Sequence, residues 1–385
     1  MHLLAARRVV TGATEAGRPV VGEATLTIEG ARITSVTPGI DAAATLVEGW
    51  IVPGFVDVHN HGAAGYGYGD PDPQHVLAAV AHHRRHGATS LFASTVTETL
   101  DSLESQVASL AGFVESGEID GIHLEGPFLS PRQKGAHDAD LLTAPTPESV
   151  DALVKAGRGA VRMVTIAPEL PGGLDAVLRF AEAGVCVAFG HSDSDHRQAR
   201  AAVDSGVTTV THLFNAMTGI HHRKPGPIPW LLTDDRVSVE LICDGTHLHA
   251  DTIRLAIESA GIERVTLVTD AMSATGQADG RYRLGSLQVD VIDGVARIVV
   301  DTDEPGPIAG STLTMDKAVE FVVREVGCSI PEAAVMASST PARWHGLDEV
   351  GMLAPGRLAN LCVLDDDASL RRVMRRGEWL EGDEA

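Results

Sequence analysis

Apolar and polar positions along the chain change rhythm near Pro53. Before it, short runs such as VVTG, ATLTIEGARITSV and GWIVPG alternate apolar with polar residues between glycine turns, which predicts a small antiparallel sheet. After it, short apolar runs of strand length recur. Most are separated by stretches of helical periodicity, among them PQHVLAAVAHHRRHG, TPESVDALVKAG, LDAVLRFAEAG and DTIRLAIESAG. The runs fall at 55–61, 89–95, 121–127, 161–168, 185–192, 208–215, 237–245 and 265–271. Eight strands within about 220 residues is the count of a (β/α)8 barrel. An open doubly wound sheet alternates in the same way but binds ligands at one switch point, whereas here nearly every run ends on a polar residue capable of chemistry.

Past the eighth run, RYRLGSLQVDVIDGVARIVV predicts a β-hairpin turning at Asp293-Gly294, an insertion near 281–308. Helical stretches STLTMDKAVEFVVREVG and PEAAVMASSTPARWHG follow, and GRLANLCVLDDDASLRRVMRRGEWL returns to β texture. The expected fold is therefore α/β: a TIM-type barrel over 51–346, with a small discontinuous β-sandwich built from 1–50 and 347–385.

Composition narrows what such a barrel could bind. Of 385 residues, 44% are apolar and 21% charged, ordinary for a globular protein. The net charge of −22 repels polyanions, so no nucleic acid and no anionic membrane is expected as a partner. An anionic ligand would need specific local cations. Arg7 and Arg8 interrupt what would be the apolar stretch of a signal peptide, and no run approaches the roughly 18 residues of a span, so cytoplasmic residence is expected. Cys186, Cys243, Cys328 and Cys362 lie far apart with no CxxC pair and read as reduced, buried apolar residues.

The chemistry lies in histidines and carboxylates at the ends of apolar runs. His59 and His61 form an HxH pair, and residues i and i+2 of a strand share a face. The third run ends in Glu125, the fifth in His191 and the sixth in His212. Any one of these alone reads as a satisfied core or surface side chain. Together at one rim of a barrel they point to a divalent metal held by imidazole and carboxylate, with no thiolate offered. Asp270 ends the eighth run; it could cap the following helix or, in that company, accept and return a proton. GYGYG at 65–69 lacks the dinucleotide spacing and is followed by Pro71 and Pro73, so it reads as a loop. His75, His82, His83 and His86 are expected outside the barrel mouth, facing solvent, and His249 and His345 have no assigned partner.

The motifs PGFVDVHNHG, HLEGPFLSPRQKGAH, GHSDSD, THLFNAM, DGTH, LVTDA and GSTLTM occur in this order over about 45–362. In this the chain resembles the N-acetylglucosamine-6-phosphate deacetylases of the amidohydrolase superfamily. The resemblance implies that Glu125, His191 and His212 hold a principal metal ion, and that His59 and His61, with Glu125 bridging, hold a second. Zinc is expected first, with Fe, Mn or Co also accommodated, at one or two ions per subunit. Asp270 would be the general base and acid, and His137 would polarise the acetyl carbonyl. Asn215, Ala216, His247 and Arg223 would surround the sugar phosphate, with Arg223 reaching in from the other subunit of a homodimer. HHRKPG at 221–226 is indeed a cationic island in an acidic chain. The implied reaction is hydrolysis of the acetamide of N-acetyl-D-glucosamine 6-phosphate, a step of amino-sugar catabolism and cell-wall recycling. The alternatives are another N-acyl or cyclic amide substrate, or a non-catalytic sugar-phosphate-binding homologue.

Overall fold

The computed structural model describes residues 1–302 and 305–380. All eight expected runs supply a barrel strand: Phe55–Asp57, Ala88–Thr95, Gly121–Glu125, Val161–Ile166, Cys186–Phe189, Val207–Val210, Ser238–Ile242 and Val265–Val268. They pair in sequence order, each parallel to the next. Both faces of such strands are covered, which is why their sequences run continuously apolar; Ala88–Thr95 is buried at every position. The last and first strands are joined through the residues just beyond them. Thr269 Oγ1 donates to Asp57 Oδ2 at 2.7 Å, and Asp270 N–H donates to the His59 carbonyl at 2.8 Å. Burial lifts the Asp57 carboxyl to about 6, against the pull of its bonds from Thr269.

Helices start where a short polar side chain can accept the free N–H groups of the first turn. Asp72, Thr99, Thr146 and Asp195 do so ahead of Pro73–Arg85, Leu100–Glu115, Pro147–Gly157 and His196–Ser205. Their apolar stripes pack onto the outside of the barrel. In Pro73–Arg85 that stripe is Val76, Ala79, Val80 and His83, so the expectation of solvent-facing histidines fails at two positions. His82 and His83 are buried. His83 Nε2 stands 3.0 Å from the Gly62 carbonyl, and burial drives its pKa down to about 3. Among the described residues, no helix is long and apolar enough to cross a membrane.

The terminal segments form a separate eight-stranded sheet. Its path runs Glu378–Trp379, Leu370–Arg375, Leu361–Leu364, Trp50–Pro53, His2–Glu15, Arg18–Glu29 and Arg32–Pro38, with Thr45–Leu46 paired alongside His2–Glu15. Leu26, Ile28, Ile33, Ile51, Leu361 and Met374 give it a core of its own. The chain passes from this sheet to the barrel at Gly54, where any Cβ would collide with the Thr89 side chain of the second barrel strand.

The insertion after the eighth strand has three strands, Gly280–Leu284, Leu287–Ile292 and Val295–Ile298, one more than a hairpin. The turn at Asp293-Gly294 falls where expected, with both residues at positive φ (51° and 74°) as a type I′ turn requires. The additional turn is Gly285-Ser286. Leu284, Val289 and Val291 pack on Met272 and bring this small sheet over the barrel mouth.

Candidate active site

The polar residues that end the strands converge at the C-terminal end of the barrel. Glu125, at the end of the third strand, is central. Its Oε1 stands 3.1 Å from His212 Nε2, 3.2 Å from His191 Nε2 and 3.5 Å from His59 Nε2, and its Oε2 lies 3.1 Å from His61 Nε2. Asp270 Oδ1 is 3.2 Å from His61 Nε2 and 3.5 Å from His59 Nε2. The result is two overlapping groups, His59-His61-Glu125-Asp270 and Glu125-His191-His212, whose donor atoms lie within 4.8 Å of one another in each. Every member is buried.

Hydrogen bonding on the far side of the His191 and His59 rings fixes what they turn to the centre. His191 Nδ1 is 2.8 Å from the Gln133 carbonyl, which can only accept, so the proton is on Nδ1 and Nε2 presents a lone pair. That lone pair faces His212 Nε2 at 3.0 Å and the Glu125 carboxylate. His59 Nδ1 likewise stands 3.0 Å from Glu240 Oε2, leaving Nε2 to face His61 Nε2 at 3.3 Å. Nitrogens this close to one another and to carboxylates need positive charge between them, whether protons on His59 and His61, which Glu125 and Asp270 hold above their ordinary pKa against the effect of burial, or a metal ion in their place. The nitrogen and oxygen donors therefore fit a divalent cation such as Zn, Fe, Mn or Co, with Glu240 and the Gln133 carbonyl orienting the rings from behind.

The loops that carry these groups are held out of ordinary conformations. Among the described residues, eleven other than glycine have positive φ, and His191, His212, Phe214, Ala216 and Asp270 are five of them. Strain of this kind persists only where the surroundings enforce it. Here Ser130 N–H donates to His191 O, Ser192 N–H to Ala216 O, and Ser311 N–H, from the GSTLTM segment, to Asp270 O. Gly190 has no room for a side chain, because a Cβ would lie 2.7 Å from that of Thr211 and 2.8 Å from Thr165 Cγ2.

Two further groups have their protonation set by their neighbours. Burial pushes the Asp270 carboxyl up, but the imidazoles of His59 and His61 outweigh it and hold the group at about 2. His137 goes the other way: burial lowers it to about 4, so it is neutral near pH 7. Thr97 N–H donates to its Nδ1 at 3.4 Å and Thr97 Oγ1 stands 2.8 Å away, which leaves the ring proton on Nε2, 3.5 Å from Glu125 Oε2. His247 Nδ1 lies 2.7 Å from Asp244 Oδ2; burial lowers its pKa, and Asp244 more than compensates, raising it.

A cavity of about 460 Å³ opens over this cluster, and His61, Glu125, His137, His191, His212, Asn215, Ala216, His247 and Asp270 all line it. His59 lies fully buried beneath. Arg223 does not line the cavity; it is exposed on the loop at 221–226. Sequence reasoning missed the cavity's own cations, Arg132 and Lys134, which lie within the HLEGPFLSPRQKGAH motif it had singled out. It also missed Glu240, whose signal was a lone acid inside the apolar run VSVELI.

A barrel with a buried His/Glu/Asp cluster able to hold metal at its strand ends defines a class of hydrolase fold, and the chain belongs to it: the amidohydrolase family model matches residues 50–380. Within that family its relatives are deacetylases of phosphorylated amino sugars. The N-acetylgalactosamine-6-phosphate deacetylase of Escherichia coli O157:H7 is 35% identical over 99% of this chain and 98% of its own. The human N-acetylglucosamine-6-phosphate deacetylase is 37% identical over 85% of this chain and 82% of its own. Among solved structures, a mutant of the Mycobacterium smegmatis N-acetyl-D-glucosamine-6-phosphate deacetylase, in complex with N-acetyl-D-glucosamine 6-phosphate, superposes with a TM-score of 0.93 at 43% identity, covering 98% of each chain. The Thermotoga maritima N-acetylglucosamine-6-phosphate deacetylase superposes at 0.88 with 29% identity, covering 99% of this chain and all of its own.

Proposed function

We propose that this chain hydrolyses the acetamide of N-acetyl-D-glucosamine 6-phosphate to D-glucosamine 6-phosphate and acetate. The observation that carries the reading is geometric: Asp270, whose Oδ1 is 3.2 Å from His61 Nε2, and His137, whose Nε2–H turns toward Glu125 at 3.5 Å, line one cavity over the cluster. Glu125, His191 and His212 would hold one divalent cation, and His59 and His61, with Glu125, a second. A cation there supplies Lewis acidity, lowering the pKa of water from 15.7 toward about 7. Asp270 takes the proton of the attacking water, and His137 Nε2–H donates to the acetyl oxygen as charge builds on it, an interaction typically worth about 3 kcal/mol. Asp270 then returns the proton to the sugar nitrogen, so that an amine departs.

Recognition of the phosphate rests on cations in a strongly acidic chain. Arg132 and Lys134 line the cavity, His247 presents its ring to it, and Arg223 would enter from the other subunit of a dimer. The galacto epimer is the second reading, because the relative that matches nearly the whole chain carries that name. Acetate release from the two N-acetylhexosamine 6-phosphates and from unphosphorylated N-acetylglucosamine tests both. The gluco substrate is expected to give the highest kcat/KM, and phosphate removal to lower it sharply. Preference for the galacto epimer would exchange the two readings; turnover of neither phosphosugar would reject both.

A further inference from the structure

A second cavity of about 320 Å³ lies beside the first, lined in part by Ser94, Thr95, Glu98, Gln106 and Arg283. Three side chains line both: His61, which belongs to the cluster, and the aliphatic pair Val96 and Leu284. Val96 directly follows the second barrel strand, Ala88–Thr95. Leu284 ends the first strand of the insertion and packs with Met272, Val289 and Val291, and Val96 packs against the same group. The insertion presses closely here, for a Cβ on Gly285 would stand 2.7 Å from Val96 Cγ2. Beside the cluster, the partition between the two cavities is therefore aliphatic.

The order of strands around the barrel decides which part of the substrate faces this partition. In an eight-stranded ring the second strand stands across from the sixth. Asn215 and Ala216 follow the sixth strand, and His247 follows the seventh. Arg132 and Lys134 follow the third, yet their loop crosses to the same side. Arg132 Nη1 lies 3.1 Å from Asp193 Oδ2, beyond the fifth strand, and a Cβ on Gly135 would stand 3.0 Å from His191 Cε1 and 3.6 Å from Ala216 Cβ. The groups proposed to hold the sugar phosphate thus sit opposite Val96. An acetamide is planar and trans, so its methyl points away from the sugar carbon across the C–N bond. With the carbonyl oxygen at His137 and the nitrogen at Asp270, the methyl turns toward the second strand. His137 is itself held by Thr97, the residue after Val96.

We propose that Val96 and Leu284 form the wall on which the acyl methyl seats, and that this wall restricts the chain to short acyl groups. The inference rests on the hydrolytic reading above and adds to it the feature that selects the acyl group. One methylene in an apolar pocket typically changes kcat/KM about 10–200-fold. A butyryl chain carries its extra carbons into space that Val96 and Leu284 occupy. Trimming either side chain opens the wall toward the second cavity and makes room for them. The chemistry itself does not change with chain length: water adds to the acyl carbon, the C–N bond breaks, and a carboxylate and an amine leave.

Carboxylate release from N-acetyl- and N-butyryl-glucosamine 6-phosphate tests the wall. The unaltered protein should favour acetyl by at least about tenfold in kcat/KM. Val96→Ala and Leu284→Ala should each raise the butyryl-to-acetyl ratio by about tenfold or more. Ile308→Ala trims an aliphatic residue that lines the first cavity but not the second, and should leave the ratio unchanged. Because the ratio is taken within one variant, it does not depend on how much of that variant is folded. An unaltered protein that takes butyryl as readily as acetyl, wall variants whose ratio does not rise, or an equal rise in Ile308→Ala overturns the inference. An unaltered protein that releases no acetate sinks the hydrolytic reading and the wall with it, whereas acetate release without the shift in ratio sinks this inference alone.

Discussion

Glu240 shows how much a residue can matter without touching the cavity. It is 1% exposed, and its Oε2 lies 3.0 Å from His59 Nδ1 and accepts the backbone N–H of His212 at 3.2 Å. One buried carboxylate therefore braces the His59 ring of one group and the backbone of His212 in the other. Glu240→Gln keeps the shape but gives up the charge that favours a proton on His59 Nδ1. Loss of such an outer partner typically lowers metal affinity about 10–100-fold. Competition against a graded chelator should show a drop of that order, and unchanged affinity would mean that His59 is oriented by something else. The first rank of site residues was legible from sequence because each ends an apolar strand run, where alternation of Cβ directions sends it to one rim. Glu240 was not, because it lies within a run, where a charged residue signals something only once burial is known.

At the scale of elements, histidines were the least legible residues, since an imidazole is as compatible with a helix surface as with a core. The first helix makes the point: His83 was read as facing solvent, yet it completes the stripe Val76, Ala79, Val80 at helical spacing and is buried with it. His345, just past the helix Ser339–Trp344, is a stronger case, for it is buried against Phe92 with neither ring nitrogen partnered among the described residues. Burial lowers its pKa from 6.5 to about 4. On unfolding the ring becomes free to take up a proton, so below pH 6.5 the unfolded state binds more protons and stability falls as pH drops toward 4. Over that window the loss is on the order of 3 kcal/mol. His345→Phe removes the titrating group while keeping an aromatic ring beside Phe92. Urea unfolding between pH 6.5 and 4 should therefore be less pH-dependent in the variant, and an equal slope would show that His345 is already hydrated in the folded protein. The insertion was legible at Asp293-Gly294 and misread at Gly285-Ser286, where a glycine turn was passed over between two stretches of the same β texture.

For the whole molecule, the charge of −22 and the position of Arg223 raise one question about assembly. The family resemblance put Arg223 on a phosphate, yet in its own chain it is exposed and outside the cavity. If the family arrangement holds, the arginine serves the other subunit of a dimer, and the test must separate serving a neighbour from serving oneself. Arg223→Ala should raise KM for the phosphorylated sugar far more than for the unphosphorylated one. Asp270→Asn should leave metal content intact and lower kcat by about 10²–10⁴, the usual contribution of a positioned general acid-base group. When the two variants are dissociated and reassociated together, the mixed dimer contains one cavity with native Asp270 whose partner subunit supplies native Arg223. Turnover at low phosphosugar concentration should then exceed that of either variant alone. An arginine acting within its own subunit leaves both cavities of the mixed dimer defective, so no gain would be seen, and Arg132 and Lys134 would remain as the cations on which phosphate binding depends.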